Sequence, residues 1–186
     1  MHTTRWAWAP ILAGFLTLTF MAGSVQAADG RDPYKHFFDD SFGDFQEELE
    51  TARAAGKKGV LVFFEMDDCP FCHHMKQFVL NQPAVQNYYR EHFRIFSIDT
   101  EGGLEITDFD GNVMKENDFA FKQHRVRATP VFLFFDLEGK PVARYTGRTG
   151  SVEEFMWLGE YVVTERYREL PFTRYKRERQ ERANAQ

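Results

Sequence analysis

The sequence is poor in cysteine, with only two in 186 residues, at positions 69 and 72. A disulfide between them would close a four-residue loop, which removes little entropy from the unfolded chain, so the pair is a poor structural staple. The chain also lacks a second Cys-x-x-Cys and any His-x-x-x-His, from which a structural zinc site would draw its remaining ligands. It has no excess of positive charge, the formal net charge being −5, so nothing indicates a nucleic-acid partner.

Long hydrophobic runs are absent as well. The longest, from about Ile11 to Met21, is shorter than the ~20 apolar residues of a comfortable membrane span. It follows a weakly positive start and precedes Val25-Gln26-Ala27, a pattern typical of an export signal. We therefore expect residues 1–27 to be a signal peptide, cleaved near Ala27-Ala28, and the protein to reach the periplasm. A retained membrane anchor is the alternative, and the lack of a nearby cysteine excludes a lipoprotein.

One domain accounts for the rest of the chain, which has no internal repeats and no low-complexity linker. With 43% apolar residues and 20 phenylalanines, a substantial core is available. We assign residues 28–40 to an N-terminal lead-in, 41–168 to the domain, and 169–186 to a charged C-terminal tail. The end of that tail, Arg174 to Arg182, is expected to be a frayed, solvated helix.

Hydrophobic periodicity predicts an α/β domain in which helices and strands alternate. Ser41 with Asp44 resembles a capping box, and the helical spacing that follows, beginning with Phe42, ends near Gly56. An irregular, acidic stretch at 101–117 is expected to be an insertion that contains a small hairpin around Asp110-Gly111. The predicted strands are 60–65, 93–99, 131–136 and 141–146. Further helices are predicted from the cysteines to about 90, with a break near Pro83, and at 119–124 and 151–165.

The two cysteines lie where the apolar strand Val60–Glu65 gives way to a helix. Unpaired N–H groups and the helix dipole stabilise an anion at that end, and such positions lower a cysteine pKa from about 8.5 into the range ~3.5–7.5. We expect Cys69, the more exposed thiol, to attack a partner disulfide and Cys72, behind it, to resolve the mixed disulfide. His73 and His74 follow directly, and whichever faces the cysteines would favour the thiolate further.

The order helix, strand–CxxC–helix, strand, helix, X-Pro-strand, strand, helix resembles the thioredoxin fold over roughly Ser41 to Glu165. The resemblance rests on Cys69-Pro70-Phe71-Cys72, on Thr129-Pro130, and on the hairpin at 131–146, which are in register. The sequence segments 64–72 and 127–130 are most similar to the corresponding segments of periplasmic proteins of the SoxW and thioredoxin-related type. The resemblance implies a central mixed sheet flanked by helices and a thiol–disulfide oxidoreductase that needs no cofactor beyond its redox-active cysteines.

The same resemblance implies that the Thr129–Pro130 peptide bond is cis. The loop would then pass beside the cysteines, so that Thr129, Pro130 and the exposed Phe71 contact an extended substrate. Taken alone, Pro130 would instead favour a trans bond at the start of an edge strand, since only ~5% of X-Pro bonds in folded proteins are cis.

Two departures from thioredoxin bear on the redox potential. The dipeptide between the cysteines is Pro70-Phe71 instead of Gly-Pro, and Phe63 stands where thioredoxins carry a buried aspartate. The midpoint potential depends on the stability of the reduced thiolate, so it is the potential that these changes affect. Pro70, His73 and Glu65 are the candidates for tuning the cysteine pKa, Glu65 as a replacement for the missing carboxylate.

Other interpretations use the same residues. The run from Cys69 to Cys72 and His73 satisfies the c-type haem attachment pattern, although the alternation of strands and helices argues against a helical haem protein. The paired thiolates could instead bind copper. A binding module whose disulfide never turns over is a further alternative.

The expected partners are exported proteins with disulfides and a membrane electron donor of the thiol-reductase type, and the protein is expected to be a monomer. Reduction or isomerisation is favoured over net oxidation by the threonine before Pro130 and by the SoxW-type resemblance. Donation of disulfides would use the same cysteines and is the alternative.

Overall fold

The computed structural model describes residues 1–2 and 30–185, and it contains a four-stranded mixed sheet with helices on both faces. The expected signal peptide and its cleavage point fall on residues 3–29, outside the described residues. None of the described helices is long and apolar enough to cross a membrane. The α-helices are α1 (Pro33–His36), α2 (Phe45–Ala54), α3 (Pro70–Phe78), α4 (Pro83–His92), α5 (Glu116–Asp118, continued by a π-helical turn, Phe119–Gln123), α6 (Val152–Val163) and α7 (Phe172–Asn184). The strands are β1 (Gly59–Glu65), β2 (Phe93–Asp99), β3 (Glu105–Thr107), β4 (Val113–Lys115), β5 (Val131–Phe135) and β6 (Pro141–Thr146).

The sheet has the order β2-β1-β5-β6, with β1 parallel to β2 and β5 antiparallel to both of its neighbours. Strands β1 and β5 are central and buried along their whole length, which explains why both are continuous apolar runs in the sequence. Phe64 pairs with Ile98 of β2 on one side and with Val131 of β5 on the other. The C-terminal ends of β1 and β2 and the start of β5 therefore lie together at one end of the sheet. From this end the chain continues from β1 to the cysteines.

The sheet separates two hydrophobic clusters. The first core lies against α3, α4, α6 and α7 and receives Leu61 and Phe63 from β1. The second core lies against α2, the β3–β4 hairpin and the turn after α5, and receives the alternate β1 residues, including Val62 and Phe64. Because successive side chains of a strand point to opposite faces, the one buried strand β1 supplies both cores.

The first long helix begins later than the sequence suggests. Its N-cap is Asp44, whose Oδ1 accepts hydrogen bonds from the amides of Gln46 at 2.9 Å and Glu47 at 3.1 Å. Ser41, the predicted cap, accepts only from the amide of Gly43. Gly43 has a φ of +83°, a left-handed conformation that no helix accommodates, so α2 cannot start before it. As a result Phe42 lies outside the helix and is fully exposed.

The lead-in packs against the rest of the domain, so the hydrophobic core includes residues before position 41. Phe37 and Phe38 are buried in the first core. The Asp39 amide donates to the carbonyl of Ile95 at 2.7 Å, and its Oδ2 accepts from the Ile95 amide at 2.8 Å. The segment thus covers the first half of the outer edge of β2.

The charged tail is a docked helix, which corrects the expectation of a frayed end. In α7, Tyr175 is buried with its ring 5.4 Å from that of Tyr161. Lys176 pairs with Glu154 of α6 at 2.7 Å, and Arg179 pairs with Glu160 at 2.9 Å. The high density of charge in this segment conceals the aromatic contact that attaches it to the domain.

The predicted hairpin in the 101–117 insertion is present, with Ile106 of β3 opposite Met114 of β4. Asp108 holds its turn by accepting from the amides of Asp110 at 2.9 Å and Asn112 at 2.7 Å. Burial alone would raise the pKa of Asp108, but these hydrogen bonds, together with those from the Asn112 and Gln123 side chains, outweigh it and lower the pKa. Since Ile106 belongs to the second core, the insertion is packed onto the domain.

Candidate active site

The two cysteines form a disulfide at the N-terminus of α3, with their Cα atoms 5.2 Å apart. Cys69 is the N-cap residue, and its Sγ accepts a hydrogen bond from the Cys72 amide at 3.0 Å. Pro70 occupies the first turn, where its missing N–H leaves no hydrogen bond unmade. Cys69 is 4% exposed and Cys72 is fully buried, so Cys69 is the sulfur nearer to solvent.

Phe71, between the cysteines, is 54% exposed, and the Arg148 guanidinium lies 5.9 Å from the centre of its ring. This distance is within the range of a cation–π contact. Arg148 follows Gly147, whose amide donates to the carbonyl of Pro130 at 2.8 Å. The loop after β6 thus bridges the exposed phenylalanine of the cysteine loop and the proline loop.

The Thr129–Pro130 peptide bond is cis. Pro130 is buried and directly precedes β5, which lies between β1 and β6 and is therefore not an edge strand. The register pairs Val131 with Phe64, near the end of β1. Pro130 therefore lies at the end of the sheet from which the chain continues to Cys69. Thr129, just before it, is half-buried.

Glu65 ends β1 and turns its carboxylate toward α3 and β2. It accepts hydrogen bonds from Lys76 Nζ, from Ser97 Oγ at 2.6 Å and from the Tyr34 hydroxyl at 3.4 Å. Burial disfavours the charged ammonium of Lys76, but its hydrogen bonds to Glu65 and Tyr34 and the Glu65 charge outweigh this, so the pKa of Lys76 is raised. Lys76 lies four residues after Cys72, on the same face of α3, so this ion pair flanks the cysteines.

Phe63 is fully buried in the place of the thioredoxin aspartate. Its ring lies 5.7 Å from that of Phe38 and 4.8 Å from that of Phe132. The position is filled by aromatic packing in the same core that contains both sulfurs.

Of the two histidines, His73 is the one turned back to the loop before Cys69. Its Nε2 donates to the carbonyl oxygen of Asp67 at 2.8 Å. The ring of His74 instead packs against Phe78, 4.9 Å away between centres.

Residues 1–2 and 30–185 contain no group of three or more His, Cys, Asp or Glu side chains placed to hold a metal ion. The sulfurs of Cys69 and Cys72 are bonded to each other.

Three residues of this neighbourhood were missed by sequence reasoning. Lys76 had a usable signal, because residues 69, 72 and 76 share a helical face. Arg148 had only a weak one, since it follows Gly147 in the turn after the predicted hairpin. Tyr34 had none, because its contact with Glu65 joins residues 31 positions apart.

A mixed sheet that delivers a Cys-x-x-Cys disulfide to the first turn of a helix, beside a buried X-Pro bond, defines the class of thioredoxin-fold thiol–disulfide oxidoreductases. The sequence model of the thioredoxin-like domain matches residues 45–163. The chain belongs to this thioredoxin-like family. Curated proteins offer no match to the sequence.

Solved structures agree on the fold. A thioredoxin-fold protein from Helicobacter pylori superposes with a TM-score of 0.60 at 20% identity, covering 70% of this chain and 88% of that one. A thioredoxin from Thermus thermophilus has a TM-score of 0.51 at 27% identity, covering 64% of this chain and 84% of that one. A DsbH oxidoreductase has a TM-score of 0.51 at 19% identity, covering 70% of this chain and 88% of that one. The predicted thioredoxin-like α/β fold is confirmed.

Proposed function

We propose that the protein is an exported oxidoreductase that reduces or isomerises disulfides of other exported proteins through Cys69 and Cys72. The observation that carries the proposal is the Cys69–Cys72 disulfide at the N-cap of α3. Once reduced, a thiolate at Cys69 would receive the Cys72 amide hydrogen bond and the positive end of the helix dipole. Both effects favour the anion that attacks disulfides.

In the reducing direction, the Cys69 thiolate attacks one sulfur of a substrate disulfide. The substrate S–S bond breaks, a Cys69–substrate disulfide forms, and the first substrate sulfur leaves as a thiolate that takes up a proton. The Cys72 thiolate then attacks Cys69 Sγ, which releases the second substrate thiolate and regenerates the Cys69–Cys72 disulfide. Two electrons have moved from the protein to the substrate, and a dithiol donor must return them.

The exposed Phe71 and the backbone at Thr129–Pro130 are the proposed substrate contacts, and Pro70, His73 and Glu65 the proposed tuning residues. A membrane protein of the thiol-reductase type is the proposed electron donor, and the resemblance to SoxW-type proteins supports the reducing direction. Net donation of disulfides is the alternative, and the same two cysteines would carry it.

Insulin reduction with dithiothreitol as donor tests the activity. We expect the wild type to accelerate precipitation of the insulin B chain, and Cys69→Ser to abolish this acceleration. In a separate reaction, pre-reduced Cys72→Ser freed of dithiothreitol should form a mixed disulfide with insulin, visible on a non-reducing gel, because the resolving thiol is absent. Acceleration by Cys69→Ser equal to that of wild type would contradict the assignment of the nucleophile.

The direction of electron flow is tested by the Cys69–Cys72 midpoint potential in a series of dithiothreitol or glutathione buffers. A value near about −270 mV, typical of thioredoxin, supports reduction. A value near about −120 mV, typical of a strong oxidant, would favour the alternative.

Export is tested by expressing the full chain in a Gram-negative host. We expect the protein in the periplasmic fraction, with a mature N-terminus near Ala28 by mass spectrometry. Recovery of the intact chain in the cytoplasm would contradict a cleaved signal.

A further inference from the structure

Within the described residues no strand pairs with the outer edge of β2, and one stretch of this edge, at Ser97, is open. In a parallel ladder the N–H and C=O of one residue point to the same side, and that side alternates along the strand. Ile95 points outward, because both of its backbone groups bond to Asp39. Ser97, two residues on, therefore also points outward. Among the residues that the structure describes, none hydrogen-bonds to the Ser97 N–H or C=O on that side.

A cleft runs along this open edge, and we call it the β2 cleft. Its first part, about 450 Å³, has an apolar floor that includes Phe96, Ile98 and Ile106. Its second part, about 390 Å³, shares Ser97 and Leu104 with the first. The second part extends to Met66 and Asp67, just before Cys69. The cleft therefore extends from the loop before α2 to the segment just before Cys69.

Two large apolar side chains lie on its rim. Phe42 is fully exposed and Leu104 is 72% exposed, and both line the first part of the cleft. Both line the part of the cleft that Ser97 also lines, so a strand added at Ser97 would contact them through its own side chains.

The charged side chains that line the cleft are carboxylates, while Arg94, over the Phe96 ring, and Lys115, opposite Glu105 in the hairpin, lie beside it. Its lining includes no Lys or Arg. Five of its carboxylates have no ion-pair partner within residues 30–185: Asp40, Asp67, Asp99, Glu105 and Glu116. Burial, and then the nearby charge of Asp99, raises the pKa of Glu116. A bound cation would offset both effects and stabilise the carboxylate.

We propose that the β2 cleft binds an extended, basic segment of a partner protein, which adds to the outer edge of β2 as a further strand. The unpaired groups of Ser97 supply backbone hydrogen bonds, Phe42 and Leu104 supply apolar contact, and the unpaired carboxylates select Lys or Arg. A second copy of this chain fits poorly, because it would bring another Asp40 and Glu105 to the same acidic rim. The interaction does not require the disulfide to turn over.

The test measures binding of a fluorescein-labelled nine-residue peptide with alternating Lys and Val to the full chain by fluorescence anisotropy. We expect saturable binding that weakens as salt is raised, since the charges are partly exposed. The same peptide with N-methyl groups on alternate amides keeps its charge but cannot form the strand ladder. It should bind at least about tenfold more weakly, as the loss of one or two hydrogen bonds implies.

Variants then locate the site. Asp40→Lys with Glu105→Lys reverses two exposed rim charges and should weaken binding about tenfold or more. Glu138→Lys reverses one exposed charge in the β5–β6 turn, outside the cleft, and should have a much smaller effect than Asp40→Lys or Glu105→Lys alone. In a ¹⁵N-labelled sample, the Ser97 amide should show one of the largest shift changes on titration.

Several outcomes would overturn the proposal. These are absence of binding, equal binding of the N-methylated peptide, or equal loss in Glu138→Lys and the double variant. A dimer of the free protein that the peptide dissociates would name a second copy as the occupant. Binding should be unchanged in Cys69→Ser/Cys72→Ser protein, so that a failure here and a failure of the redox activity are separate results.

Discussion

At the scale of single residues, loss of Lys76 from the Glu65–Lys76 pair leaves an unpaired carboxylate near the cysteines. Both side chains are mostly buried. Lys76→Met leaves the Glu65 carboxylate with only Ser97 and Tyr34 as partners. We expect the free energy of unfolding to fall by about 2 kcal/mol, between the values for exposed and fully buried pairs. Urea denaturation of the oxidised protein measures this loss.

Lys122→Met is the matched control, because Lys122 and Asp118 form an exposed pair on one helix. Its cost should be at most about 0.5 kcal/mol. Adding Glu65→Gln to Lys76→Met should recover part of the stability, since it removes the unpaired charge. Equal losses of unfolding free energy in Lys76→Met and Lys122→Met would show that the buried pair stabilises the fold no more than the exposed pair.

His124 makes the fold sensitive to acid. Burial, and then the charge of Arg144, lowers the pKa of His124 to about 4, while Asp108 acts weakly in the opposite direction. The folded state thus excludes a proton that the unfolded state, with a pKa of about 6.5, accepts. The contribution to stability is complete above about pH 6.5 and is lost progressively as the pH falls to about 4.

His124→Phe removes this titration and suits a site bordered by Phe119 and Phe135. We expect the Tm of the variant to fall less than that of wild type between pH 6.5 and 4.5. Below this window the lowered pKa values of Asp108 and Glu154 govern acid unfolding in both proteins. The exposed change His36→Phe should leave the wild-type pH profile intact, and parallel profiles for wild type and His124→Phe would refute the assignment.

At the scale of elements, α6 packs against α4 through a glycine. A Cβ on Gly159 would lie 2.9 Å from Cζ of Tyr89 and 3.0 Å from Cε1 of Tyr88. Tyr89 is fixed by its stacking on Phe155, with ring centres 4.5 Å apart, and by a hydrogen bond to the Phe155 carbonyl. It therefore cannot move aside.

Gly159→Ala should destabilise the protein although alanine is the better helix former by about 1 kcal/mol. Overpacking of a filled core costs about 1–3 kcal/mol, so we expect a net loss near 1 kcal/mol by urea denaturation. Gly103→Ala, where a Cβ meets nothing within 4 Å, is the control and should be close to neutral. A more stable Gly159→Ala protein would mean that α4 and α6 separate easily.

The docking of α7 depends on Tyr175. Tyr175→Ala should loosen the helix beyond its first turn, where Phe172 still packs against Tyr161, since the other contacts with α6 include ion pairs such as Arg179 with Glu160. We expect amides of residues 172–184 to exchange with deuterium at least about tenfold faster, while those of β1 are unchanged. Arg177→Ala, at an exposed position of the same helix, should leave the exchange of α7 as in wild type.

At the scale of the whole molecule, the proposed direction of electron flow predicts which redox form is more stable. If the protein is a reductant, its fold favours the Cys69–Cys72 disulfide over the dithiol, and the oxidised form must unfold at higher urea. For this two-electron couple, about 30 mV corresponds to about 1.4 kcal/mol. Paired denaturation curves with and without dithiothreitol measure the difference. Cys69→Ser/Cys72→Ser should show none, and a more stable reduced wild type would favour the oxidant alternative.

The sequence was informative wherever a local pattern has one structural outcome. The buried strand before Cys69, the helix that begins at Pro70 and the hairpin after Pro130 were all predicted near their observed bounds. Contacts between distant segments left no such pattern, which is why Phe37 in the first core and the docking of Tyr175 were missed. The start of α2 was misplaced because the φ of Gly43 is a property of the folded loop.

The sheet also places the disulfide on one of its two faces. Both sulfurs belong to the first core, with α3, α4, α6 and α7. The second core, with α2 and the hairpin, contains neither. We therefore expect a spectroscopic probe on α7 to respond more strongly to reduction of the disulfide than a probe at Val113 on the hairpin.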